Sequence, residues 1–120
     1  MFKVYINDVF IGYSSLESGD PPMGVAIGKF VPLENFAKCD DLAIRENADT
    51  RCWNNATVKT PDGETLVSDG VSLAEYEISL TPSEPDFYLQ LSCLGIRSPS
   101  YETLFPDHIA KYEAQMKSVP

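Results

Sequence analysis

Apolar and polar residues alternate from the first segment onward. Phe2, Val4 and Ile6 share one face, and Lys3 and Tyr5 occupy the other. Period-two alternation marks a half-buried strand. Asn7-Asp8 is turn chemistry that tolerates positive φ, and Val9 to Tyr13 makes the return, so a β-hairpin opens the chain. Leu16-Glu17-Ser18-Gly19-Asp20-Pro21-Pro22 then reads as loop. Met23 to Val31 resumes as a strand, with Val25, Ile27 and Val31 on one side and Gly24, Ala26 and Gly28 on the other. Side chains that small let another backbone approach closely. The expected cover is a helix, and the alternative is a ligand.

Pro32 suits the first turn of a helix, and Leu33, Phe36 and Ala37 give an i, i+3, i+4 face. The pattern predicts a helix near 32–46, with Leu42 to Asn47 extending it or forming a short second one. Arg51 to Thr60 reads as one strand around Trp53, Ala56 and Val58, and Thr60-Pro61-Asp62-Gly63 as a turn. Glu64 to Val67 and Val71 to Leu80 flank a second turn at Ser68-Asp69-Gly70; Thr81 to Pro85, with two prolines, reads as loop. Phe87 to Ile96 is the clearest strand, with Phe87, Leu89, Leu91 and Cys93 facing away from Tyr88, Gln90 and Ser92. Pro106 and Asp107 start a closing helix near 106–117, whose apolar stripe runs through Phe105, Ile109, Tyr112 and Met116. The sum is one α+β domain spanning 1–120. Its mainly antiparallel sheet, of about six to seven strands, is packed by two helices.

Composition leaves that picture intact and narrows the setting. At 120 residues and 43% hydrophobic the chain suits one domain with an ordinary core. Cys39, Cys52 and Cys93 are odd in number and lack a CxxC pair, which favours a reducing compartment. Asn7 and Asp8 interrupt any signal-like apolar run, and no stretch approaches the ~18 apolar residues of a membrane span. The expected location is the cytoplasm.

Charge changes the picture most. Eighteen acids face nine bases, a net charge of −9. Such a surface repels nucleic acid and anionic membrane. From Thr60 to Ile96 stand seven acids and no base: Asp62, Glu64, Asp69, Glu75, Glu77, Glu84 and Asp86. The rest nearly balances. A concentrated field of one sign steers an oppositely charged partner.

Candidate chemistry is sparse. His108 is the single histidine, and the cysteines lack ligand spacing, so no metal and no cofactor are expected. Cys93 reads as core, while Cys39 and Cys52 are candidates for exposure. No GxSxG elbow, Walker loop or GxGxxG is present, which makes an enzyme the lesser expectation. Glu75 and Glu77 alternate onto one strand face, where two acids share a proton or grip a cation, or simply meet solvent. Gly19-Asp20-Pro21-Pro22-Met23-Gly24 is a stiff loop that suits a binding surface or a fixed connection.

The leading expectation is a small acidic protein-binding module for a basic protein partner, acting as a monomer or small homo-oligomer. An immunity-type protein that covers the basic cleft of a nuclease toxin meets those specifications of size and charge, although no motif identifies one. Its contact field would be Glu75, Glu77, Glu84 and Asp86, with Tyr76 and Tyr88 as aromatic anchors and Asp20, Pro21, Pro22 and Met23 as a loop contact. The second expectation is a small-ligand or enzymatic domain, its site beneath a helix with Asp20, His108 or Glu17 as polar groups. The third is an accessory subunit of a larger assembly.

Overall fold

Strands β1 (Phe2–Ile6) and β2 (Val9–Ser14) form the expected hairpin. Asn7 and Asp8 at its tip have φ of 50° and 65°, the positive values demanded by the tightest hairpin turns. This computed structural model describes residues 1–47, 50–78 and 86–117. The expected loop from Thr81 to Pro85, and Glu84 within it, lie outside the described residues.

After β2 the chain stays in the sheet where the breaker residues predicted a loop. Ser18–Asp20 is a short strand, β3, and both β2 and β3 pair along one edge of β4 (Val25–Pro32). Ser14 pairs with Phe30 and Ser18 with Ile27, so Ser15, Leu16 and Glu17 oppose Gly28 and Lys29. Three residues against two is a β-bulge, which bends the edge and re-aims side chains. Leu16 takes φ of 46° and is fully buried, its N–H donating to Ser14 Oγ at 3.1 Å. The Glu17 carboxylate accepts the Lys29 N–H at 3.0 Å, a backbone donor that the bulge leaves without its ladder partner.

The small residues of β4 are explained by this bulge, and the expected helical cover is corrected. A Cβ at Gly28 would lie 2.5–2.7 Å from Glu17 Oε2, Ser14 Oγ and Leu16 Cα. The chain that packs against Gly28 is the bulge itself. The buried face of β4 is Ala26, Gly28 and Phe30, while Val25 and Ile27 are half-buried and Val31 is exposed.

A turn of 3-10 helix, Pro21–Met23, links β3 to β4, with Gly24 left-handed at its end. A second 3-10 helix covers Glu34–Leu42. It stands where a helix near 32–46 was expected, but Ile44–Asn47 is strand β5, so the 44–46 end of that expectation is corrected. Phe36 projects from this helix onto Phe30 and Trp53, with ring centroids 5.2 and 5.0 Å away. Trp53 Nε1 donates to the Cys39 carbonyl at 2.8 Å, anchoring the same helix from below.

The single strand expected from Arg51 to Thr60 is two: β6 (Thr50–Trp53) and β7 (Ala56–Lys59). Asn54-Asn55 interrupts it, and the halves part company. β6 joins β8 (Gly70–Ile78), whereas β7 joins β1. Buried Trp53 and Val58 mark the two sides of one core entered from opposite ends of the sheet. β8 pairs with β9 (Asp86–Leu94) from Gly70↔Leu94 to Ile78↔Asp86.

Among the described residues the result is a nine-stranded antiparallel sheet, β5-β6-β8-β9-β4-β2-β1-β7, with β3 beside β4. It has more strands than expected because short β3 and β5 hid among polar residues and one apparent strand split in two. β4 serves both halves, pairing with β9 through residues 26–29 and with β2 through residues 30–32. The α+β class stands.

Two helices close the chain, α1 (Tyr101–Leu104) and α2 (Pro106–Lys117). Phe105 between them is the anchor, stacking on Phe2 (5.4 Å) and His108 (4.7 Å) and meeting Tyr101 at a tilt (4.9 Å). The expected stripe is thereby rotated. Phe105 and His108 are buried, Ile109 and Tyr112 half-buried, and Met116 exposed. Among the described residues no helix is long and apolar enough to cross a membrane.

Candidate functional site

The bulge, β3 and α2 meet around His108. Stacking on Phe105 at an interplanar angle of 9° holds the imidazole, which is 7% exposed. Its Nδ1 lies 2.7 Å from the Tyr101 hydroxyl, and that hydroxyl donates to the Val25 carbonyl at 2.8 Å. A tyrosine hydroxyl carries one hydrogen, and Val25 takes it. Nδ1 must therefore carry the proton of the second bond and donate to the Tyr101 oxygen; the reverse assignment leaves two acceptor oxygens 2.8 Å apart with no hydrogen between them. The neutral ring then keeps its lone pair on Nε2.

Burial raises the Tyr101 hydroxyl to about 12, and the nearby Asp20 carboxylate pushes the same way. The hydroxyl thus stays protonated throughout the neutral range. Gly19 makes the arrangement possible. A Cβ there would strike the Tyr101 hydroxyl and the Val25 carbonyl, so only glycine lets β3 run this close to α1 and α2.

Two clefts flank the imidazole. One, of about 430 Å³, lies between β3 and α2 and is lined by Glu17, Asp20 and Pro21 on one wall and His108, Lys111 and Tyr112 on the other. The second, of about 550 Å³, shares Glu17, His108 and Lys111 and continues toward Phe2, Leu104 and Asp107. Nε2 makes no hydrogen bond among the described residues, and no fully enclosed side-chain nitrogen or oxygen there lacks a partner. Nε2 therefore opens onto this space.

Glu17 is the fixed acid of the site. Burial alone would raise its carboxyl. The N–H groups of Lys29 and of Glu17 itself, the Ser15 hydroxyl and nearby His108 outweigh that, leaving it below the usual carboxylate value. Asp20 faces the same cleft from the end of β3.

The predicted contacts divide. Asp20 and Pro21 line the cleft, while Pro22 and Met23 lie on the adjoining 3-10 turn with Met23 exposed. Glu75 is instead tied to Arg51 across β6 and β8, by two hydrogen bonds of 3.0 Å, and Arg51 stacks over Trp53. Asp69 is paired with Arg97. Of the acids expected in the contact field, Glu75 is thus paired within the sheet. Tyr76 pairs with Tyr88 on the face of β8 and β9 opposite Glu75, so an expected acid and the expected aromatic anchors lie on different faces. Glu77 pairs with Phe87 and Asp86 with Ile78 in the β8–β9 ladder. Glu84 lies outside the described residues.

The second expectation named Asp20, His108 and Glu17, and the fold brings these three to one cleft. Its seat differs: the walls are β3 and α2, not the small face of β4 under a helix. Tyr101 and Lys111 were not foreseen. Tyr101 acts through an oxygen that meets a backbone carbonyl 76 residues away, and Lys111 follows from the helical i, i+3 spacing to His108, visible once α2 is placed. Cys39 and Cys52, expected to be candidates for exposure, are buried, as is Cys93, whose thiol burial pushes up to about 12. Among the described residues no group of three or more His, Cys, Asp or Glu side chains is placed to hold a metal ion.

No family model matches the chain, and neither does any curated protein or solved structure. The function rests on the site.

Proposed function

We propose that the chain is a binding module of the reducing cytoplasm whose ligand seat is the cleft between β3 and α2. The observation that carries this reading is His108: a buried imidazole with one nitrogen held by Tyr101 and the other left to the cleft. One ring nitrogen is engaged within the fold, and the other is an acceptor available to an occupant of the cleft. Two side chains, Phe105 and Tyr101, and the close approach of Gly19 combine to orient the ring. That degree of orientation suits recognition.

A titration of the isotope-labelled chain with a panel of small polar molecules tests the seat. Shifts should concentrate in residues 17–21 and 108–115 and in the His108 ring. A panel that binds elsewhere, or leaves those signals still, overturns the reading.

The net charge of −9 favours a second reading, that the occupant belongs to a basic protein, as with an immunity-type protein on a nuclease toxin. Asp62 and Glu64 are exposed acids on the turn after β7 and would add long-range attraction. The test is capture from lysate at low and high salt, then the association rate of the captured partner against ionic strength. Steering by charge requires the rate to fall as salt rises.

A further inference from the structure

We infer that the group received by the His108 cleft is a cationic N–H donor, a guanidinium or an alkylammonium; this rests on the cleft being the ligand seat. The hydrogen bookkeeping sets the polarity. Val25 takes the Tyr101 hydrogen and Tyr101 takes the His108 Nδ1 hydrogen, so the chain of donors runs inward and ends with a lone pair facing out. With the ring neutral, an occupant must bring a hydrogen to Nε2, and an ionised carboxylate has none to bring.

The surrounding charges choose among donors. Glu17 is an immobilised acceptor: its two oxygens already hold the Lys29 N–H and the Ser15 hydroxyl, and an ionised carboxylate has about four lone-pair sites. Asp20 adds a second carboxylate on the same wall. Lys111 is the opposing charge, but it is exposed on a flexible stem, whereas Glu17 is held at the bulge and His108 by the Phe105 stack. Fixed groups discriminate because they cannot turn away from the wrong ligand. The half-buried Tyr112 ring and Pro21 give apolar walls for the carbon stem behind a cationic head.

The experiment uses the full chain, uniformly labelled with nitrogen-15. It is titrated with methylguanidinium, n-butylammonium, methylurea and acetate at constant ionic strength, and the His108 ring nitrogens and backbone amides are followed. The two cations should bind saturably and move Nε2 as it accepts a hydrogen bond, with methylurea weaker by about tenfold, because a charged donor makes the stronger bond. Asp20→Asn, at an exposed position, should weaken the cations by a larger factor than methylurea, because it removes charge and keeps an acceptor. A capped Gly-Arg-Gly peptide and its citrulline counterpart then separate the sources. Tighter binding by the arginine peptide than by methylguanidinium assigns the group to a protein side chain, and weaker binding to a free small molecule. Equal or better binding by methylurea or acetate overturns the cationic class while sparing the cleft. A cleft that no probe perturbs overturns both.

Discussion

Gly19 and His108 stand so close that a Cβ on the glycine would lie 2.7 Å from the imidazole Nδ1. The same atom would strike the Tyr101 hydroxyl and the Val25 carbonyl, and one of these is backbone that cannot swing aside. Gly19→Ala should therefore destabilise the chain by about 1–3 kcal/mol, the usual cost of forcing an extra methyl into a packed site. Urea unfolding checks it. An unchanged midpoint would mean that β3 and α2 are not held at this spacing.

Tyr101→Phe removes an oxygen that serves two partners. The Val25 carbonyl and the His108 Nδ1–H both lose their hydrogen bond, at a cost of about 1–3 kcal/mol. The more specific expectation concerns the proton. In the parent the ring nitrogens should report Nδ1 protonated and Nε2 bare at a pH where the ring is neutral, and the variant should show a mixture of tautomers. A parent spectrum with Nε2 protonated would contradict the hydrogen-bond assignment.

The Arg51–Glu75 pair links β6 to β8 through two bonds of 3.0 Å, with side chains 25% and 17% exposed. A double-mutant cycle of Arg51→Met and Glu75→Gln should give a coupling of about 1 kcal/mol. Methionine keeps a stem over Trp53 but not the cation–π contact, and the cycle cancels that loss because both Arg51 variants share it. If Glu75 instead serves a basic partner, removing Arg51 should raise that partner's affinity, and this is measurable once the partner is captured.

Glu17 sets an acid limit. Its folded carboxyl lies below its ordinary value of 4.5, so folding favours the charged form. That contribution is complete above 4.5 and is lost as pH falls below it toward the folded value. Wild type should therefore exceed Glu17→Gln in urea midpoint near pH 7, and the gap should narrow near pH 3. A gap that widens on acidification would reverse the sign.

Much of the fold is legible in the residues one after another. The hairpin tip at Asn7-Asp8, the turn at Thr60-Pro61-Asp62-Gly63 and the alternation of Phe87 to Cys93 follow from local stereochemistry and from which face meets water, which the sequence states directly. The start of α2 at Pro106 is local for the same reason.

What alternation does not carry is the partner. Trp53 and Val58 lie on what reads as one strand, yet the chain crosses between ends of the sheet at Asn54-Asn55 because β8 and β1 each offer an edge. Glu75 and Tyr76 are neighbours in sequence and on opposite faces of β8, so an acid and an aromatic expected to act together do not share a face. The site depends on the same kind of non-local fact. Glu17 is aimed by a bulge defined against Gly28 and Lys29, and Tyr101 and His108 gain their meaning from the Val25 carbonyl. Charge, fold class and the available residue types can be read from the order of residues alone. Tertiary structure decided which of them face one another, because hydrogen bonds and close contacts between distant segments form only when the whole sheet closes on its core.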